Sequence, residues 1–395
     1  MGLLEQQAAR TIQTIEDQLK ARDLVPATRT RCRAIIEAVR AQTADILNIL
    51  GPVVGTALHP IKNEEHPAPL QYIHYLYRDW GWPLDPNGEN ARALNAVKAV
   101  IDESPFGQTL VIGAGACRLA YDLHRLHSDT DTTVLDIDAF LMTTAHRVIR
   151  GDSVTLREAN AEIDKLAHVA KEWTLHAPHG PLDDERFHFI IANGLDAPCE
   201  PASFDTVVTP WFIDLVPRDL RDFMSEVHRL LKPGGRWLNL GPLKYGPDVS
   251  IARRFSREEV FDLATRAGLP VDKWNSESVP YLVSKVNGRG KMEQVLAFAA
   301  TRQGAPDSAR KDGAPPDWLI FRHLPIPVFA GQSLFFTQDP AEQIVLGAID
   351  GQRTLDDIAS VIAGQAGDSG LTMDQLREVV RRCLVEIHPV CSRTS

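Results

Sequence analysis

Thr109-Leu110-Val111-Ile112-Gly113-Ala114-Gly115-Ala116-Cys117, followed after a helical interval by Thr132-Thr133-Val134-Leu135-Asp136, is the stretch that decides the fold. A short β-branched and apolar run that ends in a glycine turn, then a second run that ends in an acidic residue, is the pattern of a βαβ unit feeding a parallel sheet. The glycines permit the backbone angles of a tight strand-to-helix turn and keep a Cβ out of the path of a ligand. Asp136 stands 23 residues after Gly113, where a carboxylate accepts hydrogen bonds from the hydroxyls of a ribose. Cys117 and Arg118 occupy the later positions of the turn, so the full Gly-x-Gly-x-x-Gly of a dinucleotide site is missing and a nicotinamide cofactor is disfavoured.

Working outward, Phe187–Asn193, Phe204–Phe212 and Gly235–Gly241 repeat the strand pattern, and Val271–Lys273 and Val295–Ala300 supply two later strands. Helical stretches near Cys117–His127, Phe140–Arg150 and Asp219–Leu231 lie between them. The expected fold is therefore a doubly wound α/β protein, a seven-stranded Rossmann-like sheet. Lys232-Pro233-Gly234-Gly235 ends a helix and returns the chain to the sheet.

Residues 4 to 48 carry apolar side chains at helical spacing, among them Leu4, Ala8, Ile12 and Ile15, then Ile35, Ile36, Val39, Ile46 and Leu47. With the aromatic-rich segment Tyr72–Trp80 and a helix over Asn90–Ile101 they make a helical cap over residues 1–100, ahead of the α/β domain at 101–302. A segment rich in Gly, Pro, Ala and charge reads as a linker over 303–316. The last domain, 317–395, has strand-like segments near Pro327 and Ser333–Phe336 and helices over Pro340–Ile349, Thr354–Ile362 and Thr372–Ile387, a winged-helix-like order.

Composition narrows the function. The 395 residues are 44% hydrophobic, ample for a large core, and the formal charge of -10 repels phosphate backbones, so no nucleic-acid partner is expected. No membrane span and no signal peptide are read, and the five scattered cysteines show no metal-ligand spacing, which together point to the cytoplasm. His59, His66 and His74 cluster loosely but fit no ligand pattern, so no metal is expected.

The glycine turn, Phe204-Asp205-Thr206-Val207-Val208 and the Lys-Pro-Gly-Gly turn together resemble class I S-adenosylmethionine-dependent methyltransferases. Trp211-Phe212-Ile213-Asp214, Trp237-Leu238-Asn239-Leu240-Gly241-Pro242-Leu243-Lys244-Tyr245, Arg78-Asp79-Trp80 and Arg118-Leu119-Ala120 look like the carnosine N-methyltransferase family, over roughly residues 70 to 302. The resemblance implies S-adenosylmethionine as cofactor, held by Gly113, Ala114, Gly115 and Asp136, with Arg78 on its methionine carboxylate and Pro210 at a backbone contact. The resemblance also implies that either Asn193 or Asp196 contacts the adenine amino group. It implies Asp214 as the residue that grips the substrate imidazole, with Tyr245 and Tyr281 lining the acceptor pocket.

The chain departs from the family in three places: Tyr75 stands for a glutamine, Gly246 for a histidine, and Gly290, Lys291 and Met292 replace a tyrosine cluster. The expected reaction is N-methylation of a histidine imidazole in a peptide or small histidine derivative. The alternatives are another nucleophile of a natural-product peptide or metabolite, or a catalytically silent peptide-binding scaffold. Residues 340–387, with Ile349-Asp350-Gly351-Gln352-Arg353-Thr354-Leu355, resemble the PqqD-like winged-helix domains that capture leader peptides. Residues 317–395 carry 10 acidic and 6 basic side chains, a net of -4, which suits a peptide dock or a homodimer contact better than DNA.

Overall fold

A computed structural model of the protein describes residues 2–21, 23–51, 72–127, 130–182, 185–216, 219–246, 249–284, 286–304, 317–320, 324–328, 339–365 and 371–391. The chain divides into two compact units, Met1–Asp307 and Ser308–Ser395.

The larger unit is built on a seven-stranded sheet. Its strands are β1 (Gln108–Ile112), β2 (Asp131–Asp136), β5 (Phe187–Ile191), β6 (Phe204–Pro210), β7 (Leu231–Gly241), β8 (Val271–Tyr281) and β9 (Lys291–Thr301), while β3 (Val154–Ala159) and β4 (Ala170–Leu175) form a separate hairpin. The order across the sheet is β5-β2-β1-β6-β7-β9-β8, parallel except that β9 runs antiparallel to both β7 and β8. Chain order reverses between β1 and β6, which is where an open α/β sheet forms its ligand crevice.

The two-residue period of β1 explains why its sequence is almost continuously apolar. Val111 points into one core with Val134 and Val208, while Leu110 and Ile112 point into the other with Leu135 and Val207. The first core takes in α4 (Glu89–Lys98), α5 (Arg118–His124), α6 (Ala139–Ile149) and part of the N-terminal helices. The second is closed by α7 (Leu220–Leu230) and α8 (Arg257–Arg266).

Helices α1 (Gly2–Gln18) and α2 (Pro26–Leu50) answer the N-terminal periodicity, and Ile46 and Ile49 are buried in the first core. Ion pairing of Asp45 with Arg157 at 2.6 Å fastens α2 to β3. The segment Tyr72–Trp80 becomes the short helix α3 (Ile73–Leu76) and a π-helical turn over Tyr77–Gly81. Trp80 donates its indole N–H to the Ala116 carbonyl at 2.8 Å, which pins this segment beneath the glycine turn.

All seven expected strands pair, but the structure corrects the reading in three places. The β3–β4 hairpin was unread because charged residues fill its alternation, Arg157 and Glu158 on one strand and Lys171 and Glu172 on the other. Helix α8 was also unread, although Ser256 and Glu259 form a capping box at its start. Helix α7 stops at Leu230, one residue before the expected end, and the turn does not precede the strand: Leu231 already pairs with Phe204, and the next register is Thr206 with Arg236, so Lys-Pro-Gly-Gly loops out of an eleven-residue strand.

In the smaller unit, α9 (Asp317–Ile320), α10 (Pro340–Ala348), α11 (Leu355–Gln365) and α12 (Met373–Cys391) surround a core that includes Trp318, Val345, Leu355, Ile358, Val380 and Leu384. Thr354 and Asp357 cap α11 reciprocally, the Thr354 amide on the Asp357 carboxylate at 2.9 Å and the Asp357 amide on the Thr354 hydroxyl at 3.2 Å. The strand-like Ser333–Phe336, linker residues 305–316, and His59 and His66 lie outside the described residues.

Candidate functional site

The C-terminal ends of β1, β2 and β6 open onto a cavity of about 620 Å³. Gly113 has φ +70°, and a Cβ there would lie 2.3 Å from the Phe212 ring, so only glycine leaves this floor intact. Gly194 is equally constrained, since a Cβ would meet Ile112 at 2.4 Å. Cys117 takes the left-handed conformation, φ 65°, as the residue that starts α5, and turns its thiol inward against Met142.

Asp136 lines the cavity and is anchored by backbone: one oxygen accepts from the Gly115 amide at 2.7 Å, the other from the Asp138 amide at 2.8 Å. Burial holds its carboxyl above the usual carboxylate range against those hydrogen bonds. A carboxylate has about four acceptor sites, so lone pairs remain for ligand hydroxyls. Asn193, Pro210, Ala114 and Gly115 also line the cavity, with Phe212 and Leu195 as an apolar wall for a ring. Asp196, by contrast, is exposed and lies away from the lining, which leaves Asn193 as the polar side chain there.

Arg78 lines the same cavity, but it is already engaged. Its guanidinium takes Asp79 at 2.5 Å and Glu89 at 2.6 Å, with side-chain exposures of 14%, 1% and 6% for the three groups. Two carboxylates more than neutralise one guanidinium, so an anionic ligand would compete with Glu89 for it. Burial pushes Glu89 up, against the pull of Arg78. Glu89 opens α4, where an acidic residue passes for ordinary helix-end chemistry, and its sequence gave no signal of this role.

Tyr75 and Tyr281 close the cavity together, and the Trp211 ring lies 6.3 Å from Tyr281. Trp211 carries φ 48° at the end of β6, packed so closely on Gly241 that a Cβ there would sit 2.9 Å from the Trp211 Cα. Its indole N–H is buried with no hydrogen-bond partner among the described residues. Strain and an unpaired donor at a cavity wall mark Trp211 as a site residue that its place in the Trp-Phe-Ile-Asp motif does not by itself reveal.

Asp214 and Tyr245 do not line this cavity; they sit together beside it. Asp214 is 5% exposed and accepts from the Lys244 amide at 3.2 Å. Desolvation, with a smaller push from Glu293, raises its carboxyl to about 6. The Tyr245 hydroxyl is pushed up to about 12, by burial first and then by the Asp214 charge. Gly246 leaves open space where a side chain would project. Among the described residues no group of histidine, cysteine and carboxylate side chains is arranged to hold a metal ion, and no helix is long and apolar enough to cross a membrane.

A glycine floor that a Cβ would fill and a buried carboxylate with lone pairs to spare suit the nucleoside of S-adenosylmethionine, and the cavity has ligand-sized volume. The reversed sheet order, the glycine turn and the acid at the end of β2 define a Rossmann-like S-adenosylmethionine-dependent methyltransferase. Within that class the chain belongs to the carnosine N-methyltransferase family, whose model matches residues 71–288.

The carnosine N-methyltransferase unmet of Drosophila melanogaster is 42% identical over 188 residues, 44% of this chain and 41% of that protein. The carnosine N-methyltransferase of Dictyostelium discoideum is 34% identical over 85 residues, 21% of this chain and 18% of that one. The chain thus spans less than half the length of these curated relatives. Solved structures similar to it include a SAM-dependent methyltransferase of Methanosarcina mazei, 17% identical with a TM-score of 0.36, covering 51% of this chain and 95% of that one. Geranyl diphosphate C-methyltransferase of Streptomyces coelicolor, 18% identical with a TM-score of 0.36, covers 54% of this chain and 79% of its own.

Proposed function

We propose that the chain methylates an imidazole nitrogen of a histidine derivative or histidine-bearing peptide, with S-adenosylmethionine as donor. The observation that carries this reading is Asp214, a buried carboxylate with a carboxyl near 6, close to the range of an imidazole proton. Bound S-adenosylmethionine supplies a methyl group on a sulfonium, open to attack by a lone pair.

In this reading Asp136 takes the ribose hydroxyls, the turn Gly113-Ala114-Gly115 lets the donor approach the backbone, and Asn193 meets the adenine. Pro210 lies at a backbone contact. Arg78 orients the methionine carboxylate in competition with Glu89. Asp214 accepts a hydrogen bond from the ring N–H of the acceptor, which fixes the tautomer, aims the other nitrogen outward and stabilises the positive charge that develops on the ring. Tyr245 and Tyr281 exclude water around the ring. Alignment and desolvation supply the rate, so no stronger base is needed.

The small unit is proposed to be a PqqD-like docking domain for a peptide, a leader segment or a second copy of the chain, supported by its net charge of -4 over residues 317–395. A second reading of the acceptor, another amine, amide or carboxylate, is favoured by Gly246 and Lys291, which replace family side chains. Incubation with methyl-labelled donor and a panel of carnosine, histidine and histidine peptides decides between them. Label on an imidazole nitrogen is expected; label on any other atom overturns the imidazole reading.

A further inference from the structure

Lys291 opens β9, and its ammonium rests between the face of Tyr281 and Glu293, a carboxylate with no part in the chemistry above. Nζ lies 2.5 Å from a Glu293 carboxylate oxygen and 4.7 Å from the centroid of the Tyr281 ring. The burial is lopsided: the Glu293 side chain is 6% exposed, that of Lys291 46%. Lys244 approaches the same carboxylate at 3.8 Å and is 63% exposed. The fixed parts of the cradle are thus the carboxylate and the aromatic face, and the lysines reach them from outside on flexible stems.

A carboxylate this buried needs a cation, and a ring face beside it adds attraction for an ammonium. The place borders the cavity, because Tyr281 lines it. It also borders Asp214, which feels the charges of both Glu293 and Lys291. An alkylammonium arriving on a ligand exchanges for Lys291 like for like. A neutral amide or a carboxylate displacing Lys291 leaves Glu293 with only Lys244, at 3.8 Å.

Resting on the imidazole reading, we propose that Glu293 and the Tyr281 ring form an ammonium subsite for the acceptor, in which Lys291 is a resident stand-in displaced by the acceptor's free amine. The acceptor class is then a small histidine derivative with an unblocked amino group, held at its ring by Asp214 and at its amine by Glu293. A histidine inside a longer chain lacks that amine.

The test is calorimetric binding of carnosine and of N-acetylcarnosine to the full chain with S-adenosylhomocysteine present, for the wild type, Glu293→Gln and Lys291→Ala. The wild type is expected to prefer carnosine by about tenfold or more. Glu293→Gln is expected to bring the two ligands to about equal affinity, and Lys291→Ala to tighten carnosine several-fold while leaving N-acetylcarnosine unchanged. Lys291 is half-exposed, so that variant reports even if Glu293→Gln fails to fold. Equal affinity for the two ligands in the wild type, or a Lys291→Ala variant with no gain for carnosine, overturns the subsite. The expected preference without label on the imidazole upholds the subsite and overturns the methylation reading; binding of neither ligand overturns both.

Discussion

The hydroxyls of Tyr75 and Tyr281 lie 2.7 Å apart, a single hydrogen bond that joins the segment before the sheet to the end of β8. Burial raises both phenols, so each stays protonated at neutral pH and one donates to the other. The Arg78 guanidinium lies 4.8 Å from the Tyr75 ring centre, so the same contact braces the arginine that walls the cavity. Tyr75→Phe is expected to cost about 0.5–1.5 kcal/mol of stability and to weaken S-adenosylhomocysteine binding several-fold. Denaturant unfolding and calorimetry check it, and unchanged affinity would remove the pair from the closing of the site.

Asp136 is held by the Gly115 and Asp138 amides and, in the proposed reading, also takes the ribose of the ligand. Asp136→Ala is expected to weaken the cofactor by about 1–3 kcal/mol through lost ribose hydrogen bonds, and it also leaves the Gly115 and Asp138 amides unpaired. Asp136→Asn keeps an acceptor oxygen and is expected to fall between. Titration with S-adenosylhomocysteine separates the terms: a variant with lower thermal stability but wild-type affinity would confine Asp136 to structure.

Much of this arrangement was legible before any coordinates. The central strands were readable because a sheet covered on both faces needs apolar side chains at nearly every position, as Leu110, Val111 and Ile112 show. The glycine turn was readable because positive backbone angles leave few alternatives to glycine, and Asp136 because an acid ending the second strand lies next to that turn, where it accepts from the Gly115 amide. Glu89 and Glu293 were not, since a lone glutamate in a helix or strand carries no sign that it will be buried against a distant cation. The family resemblance points Arg78 at the methionine carboxylate, and its neighbour Asp79 is visible in the sequence; only the fold brings Glu89 to its other side.

That third charge governs what Arg78 substitutions will do. Arg78→Met strands Asp79 and Glu89, two carboxylates of 1% and 6% side-chain exposure, without their cation. The expected loss is about 3–5 kcal/mol of stability, measured by chemical denaturation at neutral pH. Because burial already raises Glu89, adding Glu89→Gln to Arg78→Met is expected to recover part of that loss. Full stability in the single variant would mean that the charges find water, contrary to their burial.

In the proposed reading, one proton on Asp214 links stability to turnover. Its folded carboxyl, at about 6, lies above the ordinary value near 4, so the folded state holds the proton more tightly than the unfolded chain does. The associated stability is fully present below about pH 4 and is lost as pH rises through about 6, a difference of roughly 2–3 kcal/mol. Asp214→Asn removes that penalty: relative to wild type the variant is expected to gain stability between pH 4 and pH 8, read from paired denaturation curves. Turnover should move the opposite way, because only the ionised carboxylate accepts the ring N–H fully. The wild-type rate is expected to fall as pH drops through about 6, together with protonation of the acceptor imidazole near 6.5, and Asp214→Asn to lower kcat by 10²–10⁴-fold and abolish the Asp214 inflection. A variant that keeps its turnover while gaining alkaline stability would leave Asp214 as a buried charge with no catalytic office.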